Sequence, residues 1–123
     1  MAARFLSPGF LTINMAKRSL SLDLKSERGR AAVEKLMDAA DVVVENFRPG
    51  VAKRLGVDYA TLKLRNPNVV YCSISGYGQG GPKSTDGAYD TAIQADAGLM
   101  SLTGTPESGP TRTGFLAVDT FTG

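Results

Sequence analysis

Phosphate binding is the first chemistry suggested by the residue types and spacing in this chain. The stretch "SGYGQGGPKS", Ser75 to Ser84, crowds four glycines behind the apolar run Val69-Val70-Tyr71-Cys72-Ser73-Ile74. Gly76, Gly78 and Gly81 match the dinucleotide spacing G-x-G-x-x-G, and Gly76 and Gly81 with Lys83-Ser84 nearly match a P-loop. A P-loop lysine must directly follow the last glycine to reach the phosphates, and here Pro82 takes that place. A dinucleotide loop must open a helix that receives the pyrophosphate on its N-terminus. Lys83-Ser84-Thr85-Asp86-Gly87 instead reads as more loop. No Asp or Glu closes a second strand about 20 residues on, where a ribose would need it. The segment is not read as a phosphate cradle, and a flexible surface loop is the plain alternative. The basic residues Lys17-Arg18, Arg48, Lys53-Arg54 and Arg112 are dispersed, a pattern that suits either one phosphorylated small molecule or a solvated surface. Near the end of the chain, Asp119 in "VDTFTG" is of a type that commonly caps a helix.

Composition narrows the chemistry further. The 123 residues amount to one domain at most, with a modest core. A formal net charge of +2 does not suggest a nucleic-acid protein. Histidine is absent, which removes Ser-His and Cys-His nucleophile pairs and histidine metal sites. Cys72 is the only cysteine; it excludes an intramolecular disulfide and suits a reducing compartment, hence the cytoplasm. Its place in an apolar strand pattern predicts a buried structural thiol. No apolar stretch approaches the roughly 18 residues of a membrane span. At Met1-Ala2-Ala3-Arg4-Phe5-Leu6 a short apolar patch with one positive charge is interrupted by Pro8-Gly9 before a signal-peptide core forms.

Periodicity supplies the elements that must hold these residues. "KRSLSLDLK" alternates strictly, with Leu20, Leu22 and Leu24 on one side, and predicts a strand with one buried face. Ser26 caps a helix over roughly Ser26 to Ala39, with Val33, Leu36, Met37 and Ala40 at helical spacing and Gly29 weakening its first turn. "DVVVENF" is a nearly continuous β-branched run that suits a parallel strand buried on both faces. Val51 to Leu55 forms a short helix closed by Gly56, and Asp58 caps another through about Lys63. Asn66-Pro67-Asn68 turns the chain into a third strand, "VVYCSIS". The order β-α-β-α-α-β calls for right-handed crossovers and a parallel sheet. Tyr89 to Leu102 reads as one helix through Ile93, Ala97 and Met100, and "TGTPESGPTRTG" as turns. Phe115 to Val118 starts an apolar element, with Asp119 placed to cap a helix after it.

Three stretches, "NMAKRSLSLDLK", "VVVENFRPGVAKRLGVDY" and "VVYCSISGYGQGGP", stand ahead of "AYDTAIQADAGLMSLTG" and "GFLAVDTFTG". In this order and spacing, roughly Asn14 to Gly123 closely resembles the family III coenzyme A transferases. That family includes the formyl-CoA, carnitine and benzylsuccinate CoA-transferases and shares its fold with the α-methylacyl-CoA racemases. The resemblance implies an α/β fold, a Rossmann-like parallel sheet with flanking helices. It also implies that residues 1–123 are part of the family's large domain, with the first βα unit and the C-terminal part missing. Both ends look cut, and the isolated polypeptide is expected to be poorly folded and inactive. Family members form interlocked homodimers.

The resemblance also implies roles. The catalytic aspartate, just ahead of a helix, matches Asp119. CoA-contacting positions carry over to Leu22, Asp23, Leu24 and Lys25, to Asn46, Phe47 and Arg48, and to Arg54. Gly87, Ala88, Tyr89 and Asp90 match the segment lining the active site, and "SGYGQGGP" becomes a wall of that site, where glycines let backbone approach closely. Arg54, Lys25 and Arg48 could pair with the phosphates of CoA, guanidinium groups in a bidentate way; each could equally be solvated, and Asn46 could simply make a turn. The implied reaction moves CoA from an acyl-CoA donor to a carboxylic acid through an aspartyl-CoA thioester. The CoA thioester is then a substrate, with no permanently bound cofactor and no metal. The racemase relatives use an aspartate and a histidine; the histidine position is Tyr89 here, whose ordinary pKa of about 10 makes it a poor substitute. Succinate, oxalate, aromatic acids and carnitine all remain open as acceptors or donors.

Overall fold

The computed structural model describes residues 7–122, so the short apolar patch at 1–6 lies outside the described residues. The Ser7 hydroxyl accepts the Phe10 N–H at 3.1 Å, Pro8 fits the first turn, and helix α1 runs Pro8–Ile13.

The strand expected in "KRSLSLDLK" does not form: residues 17–23 lie outside regular structure. Its alternation survives only in part, because Leu22 and Leu24 are half-buried while Leu20 is 62% exposed. A strand needs a neighbour to complete its ladder, and among the described residues the sheet has two strands, paired with each other. Asp23 then folds the chain back: its Oδ1 accepts the Lys25 N–H at 2.9 Å and its carbonyl accepts the Ser26 N–H at 3.1 Å. Ser26 caps helix α2, Glu27–Asp38. Gly29, which weakens an isolated first turn, has a packing reason: a Cβ there would stand 1.9 Å from the Asp23 carbonyl oxygen.

Strand β1, Val42–Glu45, leads through a turn into helix α3, Val51–Leu55, which ends at Gly56 in the left-handed conformation, φ 71°. Asp58 caps helix α4, Tyr59–Arg65, accepting the Ala60 and Thr61 N–H groups. Strand β2, Val70–Ser73, occupies the middle of "VVYCSIS" and pairs with β1 in parallel, Val42 opposite Val70 and Glu45 opposite Ser73.

This sheet is covered on one face, not two. Val43 and Tyr71 pack on the core formed by Met37, Ala52, Val57, Leu62 and Val69, which joins α2, α3 and α4 to the sheet. On the other face Val42 is 55%, Val44 61% and Val70 61% exposed. The expected buried thiol fails for the same reason: the register sets Cys72 opposite Val44, and it is exposed. Asn66 fastens α2 from outside. Its Nδ2 donates to the Ala40 carbonyl at 2.8 Å and reaches those of Met37 and Asp38 at 3.3 Å, the orphan acceptors of the helix end.

The helix expected over Tyr89 to Leu102 is two. Helix α5, Asp90–Asp96, and helix α6, Leu99–Thr103, part at Gly98, whose φ of 78° no helix continues through. Helix α7, Ala117–Thr122, follows the turns. Asp119 is not its cap but lies in its first turn. The architecture is an incomplete α/β fold: a parallel strand pair with helices on one face, and a helical unit beyond the strands' carboxyl ends.

Candidate active site

Parallel strands bring their carboxyl ends to one edge, the usual place for a ligand in an α/β sheet. Beyond β1 this edge carries Asn46, Phe47 and Arg48; beyond β2 it carries Ile74, Ser75 and Gly76. The Phe47 N–H is held by Glu45 Oε2 at 2.7 Å, which fixes the turn out of the strand. Gly76 lets the second segment approach "GAYD": a Cβ there would come within 2.0 Å of Ala88 Cβ and 3.1 Å of Ile93 Cδ1. Only glycine permits that contact.

Two adjoining cavities result. One, of about 380 Å³, is lined by Asn46, Ile74, Ser75, Gly76, Ala88, Tyr89, Ile93, Val118, Asp119 and Thr122. The other, of about 390 Å³, adds Phe47, Arg48, Pro49 and Asp86 to Asn46, Ser75, Gly76, Ala88, Tyr89 and Asp119. Asp119 borders both, exposed, and among the described residues its carboxylate has no hydrogen-bond or ion-pair partner. A solvated, unengaged carboxylate between two hollows can act as a nucleophile toward an electrophilic carbon seated in either one.

The backbone of Asp119 is anything but free. Asp90, at the first turn of α5, turns its carboxylate inward, 4% exposed. Its Oδ1 accepts the N–H of Val118 at 2.8 Å and that of Asp119 at 3.3 Å. Its Oδ2 accepts Gln94 Nε2 at 2.5 Å, and Gln94 Oε1 accepts the Thr113 N–H at 3.0 Å.

The remainder of the glycine segment is pinned to α5 at a distance from the cavities. Tyr77 donates its hydroxyl proton to Asp96 Oδ2, and Lys83 Nζ reaches the same oxygen at 2.8 Å while lying over the Tyr77 ring. Those bonds lower the Asp96 carboxyl below its ordinary range, Lys83 acting first and Tyr77 next. The bond to Asp96 in turn raises both the Tyr77 phenol and the Lys83 ammonium.

The structure therefore gathers Asn46, Phe47, Arg48, Ala88, Tyr89 and Asp119 at one place. Gly87 adjoins it: a Cβ there would stand 3.6 Å from Arg48 Nη2. Leu22, Asp23, Leu24 and Lys25 lie before α2 and Arg54 on α3, outside the linings of both cavities. Asp90 lies beneath the site rather than in its lining. The sequence reading missed Gln94 and Thr113. Asp90 and Gln94 stand at i and i+4 on one helix beside apolar Ile93, the spacing of a side-chain pair, and that was the available signal.

The family model described as CoA-transferase family III matches residues 2–123. An acyl-CoA transferase of Fusarium pseudograminearum is 44% identical over 118 residues, which is 96% of this chain and 26% of that protein. A succinate–glutarate CoA-transferase of Agrobacterium fabrum is 47% identical over 111 residues, 89% of this chain and 28% of the relative. The crystal structure of a CAIB/BAIF family protein from Brucella suis superposes with a TM-score of 0.79 at 43% identity, covering 83% of this chain and 27% of that one. The chain thus spans about a quarter of the length of the relatives it matches.

Proposed function

The chain belongs to CoA-transferase family III, and on that premise we propose that it supplies the nucleophile and part of the acyl-CoA site of an enzyme that moves coenzyme A between carboxylic acids. The observation that carries the reading is Asp119: an exposed carboxylate, without a partner among the described residues, on a fixed backbone that borders both cavities.

The Asp119 carboxylate attacks the thioester carbonyl of the donor acyl-CoA, the C–S bond breaks, and a mixed acyl-aspartyl anhydride and CoA thiolate result. The thiolate attacks the aspartyl carbonyl and the donor acid leaves as a carboxylate. The aspartyl-CoA thioester that remains is attacked by the acceptor carboxylate, which gives a second anhydride and free thiolate. Thiolate attack on the acceptor's acyl carbon then yields the new acyl-CoA and restores Asp119. Bonds and charges balance at each step, and no other co-reactant enters.

Among the described residues that line the second cavity, Arg48 is the cation available to a phosphate or a substrate carboxylate. Lys25 and Arg54, with Leu22, Asp23 and Leu24, are CoA-contacting positions by the resemblance. The same reading carries a homodimer and a cytoplasmic location. Among the described residues no helix is long and apolar enough to cross a membrane. A racemase reading finds no support at Tyr89, because the chain offers no histidine there or elsewhere.

The test uses a hybrid in which this chain replaces the matching segment of the Agrobacterium fabrum relative. Donor acyl-CoA followed by hydroxylamine is expected to leave a hydroxamate on Asp119, read by peptide mass spectrometry. CoA transfer is expected to fall at least about a thousandfold in Asp119→Ala. Undiminished transfer by that variant, or solvent deuterium entering the substrate α-carbon at the catalytic rate, would overturn the proposal.

A further inference from the structure

Asp90 is a buried carboxylate with no ion-pair partner among the described residues. Burying such a group is costly unless its acceptors are filled. Here they are filled by donors at Gln94, one turn along α5, and at Val118 and Asp119, far away in sequence. No buried side-chain polar atom is left without a partner among the described residues. Each of its two oxygens accepts at least one of these donors. What it does hold is the backbone N–H of Asp119 itself.

We infer that Asp90, oriented by Gln94, is the positioning residue that aims Asp119 into the two cavities; this rests on the reading of Asp119 as nucleophile. The hydrogen-bond chain has one polarity. The Thr113 N–H donates to Gln94 Oε1, Gln94 Nε2 donates to Asp90 Oδ2, and Asp90 Oδ1 receives the first turn of α7. It ties α7 and the loop before it to α5, whose preceding residues, Ala88 and Tyr89, line the same cavities.

That polarity makes the inference sharp. In Asp90→Asn the new amide must direct its oxygen at Val118 and Asp119, which sets its NH2 against the NH2 of Gln94. Turning the Gln94 amide over only moves the conflict to the Thr113 N–H. In Gln94→Glu two carboxylates face each other. The double variant Asp90→Asn with Gln94→Glu resolves both: the introduced asparagine amide would donate to one oxygen of the introduced glutamate, and Thr113 to the other. Every bond returns with the charge moved one step back from the site.

The experiment compares these three variants in the hybrid described above, once turnover of the unaltered hybrid has been shown to depend on Asp119. Misaiming a nucleophile costs about a hundredfold. Each single variant is expected to lose about that much in kcat with KM for acyl-CoA little changed, and the double variant to recover most of it. Amide exchange at Val118 and Asp119, followed by mass spectrometry, should rise in the single variants and return in the double. Single variants that keep kcat, or a double variant no better than either single, would overturn the inference while leaving Asp119 as nucleophile. If the single variants fail to fold, a folded and active double variant supports it and an unfolded one overturns it. If the unaltered hybrid does not turn over, the nucleophile reading fails by itself; the exchange pattern then decides whether the Asp90–Gln94 clamp exists.

Discussion

The sheet half and the α5–α7 half of this molecule are held together by different physics. Around β1 and β2, Met37, Ala52, Val57, Leu62 and Val69 form a continuous apolar cluster. Around α5 and α7, the buried residues are Asp90, Gln94 and the small Ala117, and the joints are hydrogen bonds. Apolar burial is non-directional and tolerates small shifts. A hydrogen bond to a backbone N–H fixes distance and angle together. The half that carries the candidate nucleophile is the half built from directional contacts.

Each half also contains one side chain that closes a helix end from a distance. Asn66 serves the carbonyl end of α2, and Asp90 serves the N–H end of α7. Under the present reading the first is a matter of stability and the second a matter of aim.

The comparison breaks most readily at Leu62, which is 3% exposed. Leu62→Ala is expected to remove about 3 kcal/mol of stability, read by denaturant titration of the hybrid, with kcat of the folded fraction little changed. A loss of kcat on the scale of that of Asp90→Asn would erase the distinction between the halves. Gly76→Ala addresses the seam, since its Cβ would collide with Ala88. About 2 kcal/mol of strain and at least a tenfold fall in turnover are expected; unchanged turnover would show that the cavity wall yields without consequence. Asn66→Ala should cost about 1 kcal/mol and leave KM and kcat alone.

The smallest effect concerns pH at the Tyr77–Asp96–Lys83 anchor. Asp96 is lowered from 3.8, so its contribution is present above that value and is lost as pH falls through the lower folded value. Tyr77 and Lys83 are raised from 10.0 and 10.5, so theirs is present below those values and is lost as pH rises through the higher folded ones. NMR resonances of the Tyr77 ring should therefore hold steady from about pH 4 to about pH 10. They should move only outside that window; a Tyr77 ring whose resonances ignore the acid titration of Asp96 would rule the anchor out.

Local signals were readable where the chain satisfies itself locally. Ser26 and Asp58 cap α2 and α4 as their types require, and Gly56 ends α3. The β-branched runs became paired parallel strands. The errors in the sheet have one origin, because local pattern does not say what lies opposite. "KRSLSLDLK" alternates like a strand but finds no ladder partner, and Val44 and Cys72 look like core but face the bare side of the sheet. Gly98 divides what helical spacing alone joined.

By itself, the sequence determined two of the parallel strands, the capped helices α2 and α4, and the family to which the chain belongs, since each depends on residue type and near spacing. Tertiary structure alone decided that Asp119 sits within the first turn of α7 and that Gly76 meets Ala88. It also decided that the buried Asp90 carboxylate accepts the backbone N–H groups of Val118 and Asp119. Those contacts join residues separated along the chain through directional bonds and close steric fits, and neither leaves a periodic mark in a sequence.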